Sequence, residues 1–206
     1  MTPGHASTLA VHQAMEAITG KRAFVLSRAS FVGTGAYAAH WTGDNQATWN
    51  DLRLSIPGVL NIGLFGMPMA GVDICGFSGD TTEELCARWI SLGAFYPFAR
   101  DHSGMGTADQ EPYRWPAVAD AARKALGMRY RLLPYLYTAL HAASETGAQM
   151  MRPVWMEFPG DQQTHSLDRH AGAGSAGDPR DGGRSAQCDG LLPGWRPLVL
   201  TLGRQG

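Results

Sequence analysis

Segments of strand length alternate with segments of helical periodicity along most of this chain, and this order limits the possible folds more than any other feature. Strands are predicted over residues 24–28, 37–41, 69–74 and 95–99. Helices are predicted over residues 8–19, 48–60, 81–93 and 116–145, where apolar side chains recur at helical spacing. Such alternation is typical of an α/β protein whose parallel strands are joined through helices.

Polar residues follow the predicted strands. Asp44 follows the second strand, Asp73 lies at the end of the third, and Arg100, Asp101 and His102 follow the fourth. In a (β/α)₈ barrel the active site lies at the C-terminal ends of the strands. Four strands would supply half of such a barrel, so we expect functional residues at this edge of the sheet.

Local signals define several helix boundaries. Thr81 and Glu84 have the spacing of a capping box at the start of the third helix. Pro57 and Pro134 should bend the second and fourth helices, because proline removes a backbone hydrogen bond. Residues 152–158 are predicted to form a further strand, and residues 160–206 to be disordered because they contain too little apolar surface to offset chain entropy.

Composition excludes several classes of partner. The 206 residues carry a net charge of −1 and no basic patch, so neither nucleic acid nor an anionic membrane is an expected partner. No window of about 20 clean apolar residues predicts a membrane span. The first residues lack a signal-peptide pattern, and we expect no metal or cofactor.

The stretch His40-Trp41-Thr42-Gly43-Asp44 joins the second predicted strand to the second helix. A carboxylate held by a glycine turn beside a Trp and a His is suited to act as a catalytic acid. The alternative is a helix N-cap, since Asp is favoured at that position and a helix follows. Spacing alone favours the cap, and residues elsewhere in the chain shift the balance.

Segments spread over nearly three quarters of the chain resemble glycoside hydrolase family 31, a family of retaining α-glucosidases. They follow the family's order and comprise residues 21–35, 40–44, 71–77, 83–102, 129–137 and 152–153. The resemblance implies a TIM-barrel catalytic domain, of which this chain would supply the C-terminal half, strands five to eight. Residues 1–151 would be this partial barrel, 152–159 the start of an uncompleted β-domain, and 160–206 a disordered or unrelated tail.

The resemblance also implies roles for individual residues. Asp44 matches the family's general acid/base. The residues that match its sugar-binding pocket are Arg28, Trp41, Asp73, Phe77 and His102. Charged and imidazole groups can hydrogen-bond sugar hydroxyls, while aromatic rings offer flat apolar faces. The implied partner is a carbohydrate, and the implied reaction releases terminal α-linked glucose from malto-oligosaccharides.

This chemistry needs two carboxyl groups, about 5 Å apart in a retaining enzyme. One protonates the leaving oxygen and needs a raised pKa, which burial beside apolar walls and a second carboxylate can provide. The other meets the oxocarbenium-like carbon. The family's nucleophile lies in a motif of the form Trp-x-Asp-Met-Asn-Glu, which occurs nowhere in this sequence. We therefore expect a truncated fragment or an incorrect gene model, inactive by itself.

Each implied site residue also has a structural interpretation. Arg28 could form an ion pair with Asp44 or Asp73, and Asp73 could be a structural partner even in an active enzyme. His102 alone would be an ordinary loop histidine, and the two aromatic residues alone would belong to the core. The alternative functions are an α-xylosidase of the same family and a catalytically inactive sugar-binding half-domain. Linkage, chain-length preference and oligomeric state do not follow from these residues.

Three cysteines, Cys75, Cys86 and Cys188, leave one thiol over in any disulfide scheme. The family's secreted and lysosomal members share a pair matching Cys75 and Cys86, so the resemblance implies a disulfide between them. Two buried free thiols are the alternative. Closing this loop is worth roughly 2–3 kcal/mol in the chain-entropy model. The pair favours a secreted, lysosomal or vacuolar location for the full-length protein.

Overall fold

The computed structural model describes residues 2–162. The chain divides into two compact units, Met1–Met151 and Arg152–Gly206, which are described separately. Cys188 and the part of the predicted disordered tail beyond residue 162 lie outside the described residues.

The first unit alternates helices with very short strands. In chain order these are α1 (Pro3–Thr19), β1 (His40–Trp41), α2 (Trp49–Leu64), β2 (Ala70–Gly71), β3 (Asp73–Ile74), α3 (Glu83–Gly93), β4 (Arg100–Asp101), α4 (Pro116–Arg131) and α5 (Leu133–Thr146). Single 3₁₀ turns lie at Thr34–Ala36 and Pro112–Arg114. The second unit contains α6 (Val154–Glu157).

All strand pairing in the described residues is parallel. β1 pairs with β2 in the register His40 to Ala70, and β3 pairs with β4 in the register Asp73 to Arg100. An isolated parallel bridge between Leu26 and Ala39 continues the arrangement. The predicted alternation of helices and parallel strands is therefore present, and the carboxyl ends of the strands lie at one edge.

The strands are shorter than the sequence predicts. Residues 24–28 form only the bridge at Leu26, and the predicted strand 69–74 is divided into β2 and β3. The fourth strand lies at Arg100–Asp101, after the predicted range of 95–99. The reason is that Phe95 and Tyr96 continue the last turn of α3, donating their amides to the carbonyls of Leu92 and Gly93 at 3.0 and 3.1 Å.

Two helices begin at positions other than those predicted. α1 begins at Pro3 rather than at residue 8, with proline in the first turn, where its missing amide costs no hydrogen bond. At the start of α3, the Thr82 hydroxyl rather than that of Thr81 accepts the Leu85 amide, at 3.3 Å. The predicted capping box of Thr81 and Glu84 is therefore wrong, because the N-cap is Thr82 and its third helical residue is Leu85.

Proline acts differently in the two helices that contain it. α2 continues past Pro57 to Leu64, whereas the predicted helix 116–145 is divided at Leu132 into α4 and α5. Pro134 lies in the first turn of α5, where its ring is tolerated.

The predicted strand at 152–158 is wrong. Val154–Glu157 forms one helical turn, closed by a hydrogen bond from the Phe158 amide to the Val154 carbonyl at 3.0 Å. Arg152 and Glu157 form an ion pair across this turn. Local bonds within the second unit replace the ladder that a strand would need.

The core of the first unit lies among the strands and helices α2, α3 and α4. Its most deeply buried side chains are Val59, Val72, Trp89, Tyr96 and Val118. Burying a large apolar side chain of this kind stabilises a fold by about 1.5–3 kcal/mol. The Arg129 guanidinium of α4 donates to the carbonyls of Ala94, Tyr96 and Pro97 at 2.7, 2.6 and 2.9 Å, which fixes the approach to β4.

Candidate active site

Asp44 lies just beyond the end of β1. The amides of His40 and Thr42 donate to the carbonyls of Met69 and Gly71 at 2.9 and 3.1 Å, so the segment pairs with its neighbour as far as Thr42. Gly43 then adopts a φ of +90°, which L-residues with a side chain rarely adopt. The chain leaves the strand at this turn and carries the Asp44 carboxylate at its edge.

The carboxylate of Asp44 does not cap the helix that follows. The N-cap of α2 is Thr48, whose hydroxyl accepts the Asp51 amide at 3.1 Å. Asp44 Oδ2 instead lies 3.3 Å from Nη1 of Arg28, and the Asp44 side chain is 46% exposed. An exposed ion pair of this kind contributes about 0–1 kcal/mol, so it leaves the carboxylate accessible without adding much stability.

Arg28 approaches the glycine turn closely. A Cβ atom at Gly43 would lie 2.9 Å from Nε and 3.1 Å from Cζ of Arg28. The positive φ therefore favours glycine at position 43, and a side chain there would also require the exposed Arg28 guanidinium to move. Arg28 and Asp44 form an ion pair in this arrangement, which agrees with one structural interpretation of Arg28.

Asp73, at the start of β3, has the opposite environment. Its side chain is 1% exposed, and Oδ1 accepts from Nε of Arg100 at 3.1 Å and from Nη2 of the same residue. Oδ2 is buried and has no hydrogen-bond partner among the described residues. Burial raises the pKa of the Asp73 carboxyl, and the hydrogen bonds from Arg100 oppose this rise. Its structural partner is therefore Arg100 rather than Arg28.

Arg100 contacts two aromatic rings as well as Asp73. Its guanidinium carbon lies 5.3 Å from the centroid of the Trp41 ring and 5.5 Å from that of Phe98. Cation–π contacts of this kind favour a fixed position of the ring relative to the cation. In the sequence, Arg100 follows the fourth predicted strand without an implied role, and this position at a strand end is the signal that could have identified it.

Phe77 and His102 lie together on the loops that follow β3 and β4. Their ring centroids are 5.3 Å apart at an interplanar angle of 44°, and the Gly104 amide donates to the Phe77 carbonyl at 2.8 Å. His102 is exposed and Phe77 is partly exposed. The two loops therefore form a joined surface with an accessible imidazole and an accessible ring.

The partly buried Asp101 and the buried His40 each hold a segment at this edge of the strands. Asp101 accepts a hydrogen bond from Nε2 of Gln110 at 2.8 Å, and burial raises the pKa of Asp101 to about 6. Nδ1 of the buried His40 donates to the Ser27 carbonyl at 3.0 Å, and burial lowers the pKa of His40. His40 thus ties the segment that ends at Arg28 to the strand that ends at Asp44.

The predicted disulfide is confirmed. Cys75 and Cys86 are bonded, with their Cα atoms 4.5 Å apart, and both side chains are fully buried. The bond joins the end of β3 to α3, close to the loop between Asp73 and Phe77.

The implied site residues lie in or just after the parallel strand segments of the first unit. They are Arg28, Trp41, Asp44, Asp73, Phe77 and His102. Residues 2–162 contain no group of three or more His, Cys, Asp or Glu side chains that could hold a metal ion. Over the same residues, no helix has the length and apolar character needed to cross a membrane.

The model of the family 31 glycosyl hydrolase TIM-barrel domain matches residues 3–139 of this chain. The chain belongs to glycoside hydrolase family 31. The match confirms the predicted family membership, and its range includes all six implied site residues. The fold of this region is that of a segment of a TIM-barrel domain, rich in helix and with short strands.

Relatives within family 31 include enzymes of several names. A probable alpha-glucosidase of Oryza sativa subsp. japonica is 60% identical over 166 residues, covering 81% of this chain and 19% of the relative. Alpha-xylosidase 1 of Arabidopsis thaliana is 53% identical, covering 84% and 19%. Lysosomal alpha-glucosidase of Mus musculus is 50% identical, covering 81% and 18%. This chain thus spans about a fifth of the length of these relatives.

Solved structures show the same relationship. The Glc1Man2-bound glucosidase II alpha subunit superposes with a TM-score of 0.75 at 38% identity, covering 82% of this chain and 18% of that chain. The described fold is therefore similar to a segment of this larger family 31 protein.

Proposed function

We propose that this chain is part of the catalytic domain of a retaining exo-α-glucosidase that releases terminal α-linked glucose from malto-oligosaccharides, with Asp44 as the general acid/base. The observation that carries the proposal is the accessible Asp44 carboxylate, which lies at the end of β1 beside Arg28, within the family's motif. A group that must exchange protons with a substrate needs this access.

The strands of this chain are proposed to be the fifth to eighth of the barrel. The bridge at Leu26, β1, the pair β2–β3, and β4 would supply them in that order. Their uniformly parallel pairing and the superposition on a family 31 structure support this assignment. Residues 1–151 would then be the partial barrel, and residues 152–159 would begin the following domain.

The proposed reaction uses Asp44 twice. As an acid it donates its proton to the glycosidic oxygen while the bond from that oxygen to C1 breaks, and as a base it later takes a proton from the attacking water. Arg28 and His102 would donate hydrogen bonds to sugar hydroxyls, and Trp41 and Phe77 would pack on the ring. The carboxylate that attacks C1 would come from the family motif that these 206 residues lack.

Two observations bear on the cellular location. The buried disulfide between Cys75 and Cys86 is typical of proteins that mature in oxidising compartments. The similarity to a lysosomal relative points the same way. Together they support a secreted, lysosomal or vacuolar location for the full-length protein.

A chimera tests the proposal. Residues 3–139 of this chain would replace the matching segment of the Oryza sativa relative, and Asp44→Asn would be compared with Asp120→Asn. Asp120 is the matched control because it also forms an exposed ion pair, with Arg123. We expect Asp44→Asn to lower kcat/KM for maltose about 10³-fold, a value within the usual range for a general acid, and Asp120→Asn to change nothing.

The substrates separate the alternatives. Loss of the acid should spare kcat/KM for p-nitrophenyl α-glucoside, whose leaving group needs little protonation. An equal loss on both substrates, or unchanged maltose turnover in Asp44→Asn, contradicts the acid/base assignment. An α-xylosidase, favoured by the Arabidopsis relative, would cleave p-nitrophenyl α-xyloside faster than the glucoside. An inactive half-domain would give a chimera that binds sugar but cleaves neither substrate.

The chain made alone should not hydrolyse α-glucosides. It lacks the motif that contains the second carboxylate, and its parallel strands would leave open edges and an exposed apolar face. Purified chain that releases glucose from maltose, and loses this activity in Asp44→Asn, would refute this expectation.

A further inference from the structure

Asn45, the residue after Asp44, binds the neighbouring loop through both its side chain and its backbone. Its Oδ1 accepts the Asp73 amide at 3.2 Å, and its Nδ2 donates to the Asp73 carbonyl at 3.0 Å. Its own carbonyl accepts the amides of Phe77 and Ser78 at 2.8 and 3.0 Å. One residue therefore makes four hydrogen bonds to the loop of residues 73–78.

Close backbone packing extends the same contact. The Ala47 amide donates to the Ser78 carbonyl at 2.9 Å. Gly76 adopts a φ of +101°, and a Cβ atom there would lie 2.4 Å from Cα of Ala47. Only glycine allows the two loops to approach this closely, so the loop after β1 is held against the loop after β3 along its length.

The position of a short side chain such as that of Asp44 depends mainly on its backbone. The residue before it, Gly43, is a glycine at positive φ and restricts the backbone least of all residue types. The side chain itself contacts Arg28, which is more than half exposed. The backbone before Gly43 is held by the bond from the Thr42 amide to the Gly71 carbonyl at 3.1 Å, and the Asn45 amide donates to the Gly43 carbonyl at 2.9 Å, across Asp44. On the C-terminal side of Asp44, the restraint on the backbone therefore comes from Asn45.

We propose that Asn45 is a positioning residue that holds the Asp44 carboxylate at a fixed distance from the surface formed by Phe77 and His102. This inference rests on the proposed function, since it concerns the acid of that reaction. A general acid must lie within hydrogen-bond reach of the leaving oxygen, and a displacement of about 1 Å can cost about 100-fold in rate. Asn45 does not touch the substrate in this proposal; it acts through the backbone of Asp44.

The test uses the same chimera, with Asn45→Ala compared with Gln46→Ala. Gln46 is the matched control because it is the next residue, carries a carboxamide and is exposed. We expect Asn45→Ala to lower kcat/KM for maltose about 10- to 100-fold, and that for p-nitrophenyl α-glucoside less than about 3-fold. Gln46→Ala should change neither value. A merely structural role would lower the apparent kcat/KM for both substrates equally, because it would reduce the amount of active enzyme.

Hydrogen–deuterium exchange gives a readout independent of turnover. Peptides covering residues 43–48 and 73–78 should exchange faster in Asn45→Ala than in Gln46→Ala, because only the former loses the bonds to Asp73. If Asn45→Ala does not fold, Asn45→Asp replaces it, since the isosteric carboxylate keeps the acceptor for the Asp73 amide and loses the donor.

The outcomes distinguish this inference from the proposed function. An unsubstituted chimera without α-glucosidase activity would contradict both. If the chimera is active but Asn45→Ala lowers kcat/KM equally for both substrates, the role of Asn45 is contradicted and the proposed function is not. Unchanged hydrogen exchange in residues 43–48 and 73–78 would have the same meaning.

Discussion

The loop after β1, which contains Asp44, lies beside residues 73–78, which comprise β3 and the loop after it. The carboxylates of Asp44 and Asp73 nevertheless have opposite surroundings. Asp44 is 46% exposed and pairs with an exposed arginine, whereas Asp73 is 1% exposed and accepts two hydrogen bonds on one oxygen from Arg100. Gly43 allows the first arrangement by turning the chain away from the sheet, and the ladder between β3 and β4 imposes the second.

The two carboxylates are therefore suited to different tasks: that of Asp44 is accessible to a substrate, and that of Asp73 stabilises the fold. An exposed carboxylate can exchange protons with a substrate, but its ion pair contributes little stability. A buried carboxylate costs free energy to desolvate, and its paired arginine becomes uncompensated if the carboxylate is removed. Direct contact of Asp73 with the sugar stays a prediction, while its contact with Arg100, and through it with Trp41, is observed.

The largest expected contrast is in stability. In the chimera, Asp73→Asn should destabilise the fold by about 3 kcal/mol, at the low end for a broken buried pair because Arg100 is partly exposed. Asp44→Asn should cost about 0–1 kcal/mol. Melting temperatures of the two variants would measure this order, and equal shifts would remove the distinction between the two carboxylates.

The disulfide should restrain residues 73–78 but not the segment that contains Arg28. Replacing both Cys75 and Cys86 with Ser should cost roughly 2–3 kcal/mol by the chain-entropy model. Hydrogen exchange should rise in residues 73–78 but not at Arg28. Adding a reductant to the wild-type chimera should reproduce this effect and should leave the double variant unchanged; faster exchange at Arg28 in either case would contradict the assignment to one side.

The stability of the fold should also depend on pH through Asp101, which lies on β4, the strand paired with β3. Burial raises the pKa of Asp101 to about 6 from 3.8, so the folded state binds this proton more tightly than the unfolded state. The resulting stability is fully present below about pH 4 and is lost as pH rises towards 6, on the order of 1–2 kcal/mol after allowing for partial solvation. Asp101→Asn should reduce the slope of melting temperature against pH between about pH 4 and 6. An unchanged slope would indicate that another group titrates there.

Two glycines give the smallest single expected shift, with opposite signs. Gly43→Ala should destabilise by about 1–2 kcal/mol, because alanine disfavours the positive φ and its Cβ would displace Arg28. Gly127→Ala, in the interior of α4 with no atom within 4 Å of the added Cβ, should stabilise by about 0.5–1 kcal/mol. Opposite shifts in melting temperature are expected. An unchanged or raised melting temperature in Gly43→Ala would show that the turn tolerates a side chain, and a lowered one in Gly127→Ala would contradict the expected gain in helix propensity.

Sequence patterns predicted helices well where capping and periodicity agree. Thr48 at the start of α2 and the glycines after α1 and α5 are examples, since Gly20 and Gly147 both adopt the left-handed cap conformation. Predictions failed where tertiary contacts outweighed local preference. The apolar residues 95–99 have strand composition, but the buried Tyr96 and the three carbonyl bonds of Arg129 hold this segment as the end of α3.

The family and the order of helices and parallel strands could be predicted from the sequence, because they follow from motifs and periodicity. The roles of the implied site residues stay predictions. The sequence also indicated the disulfide through the resemblance. The structure was needed to show which arginine pairs with which aspartate, and that Asn45 joins two segments at the strand ends. These contacts join separate segments of the chain, such as those of Asn45 and Asp73, and the local sequence of neither residue encodes them.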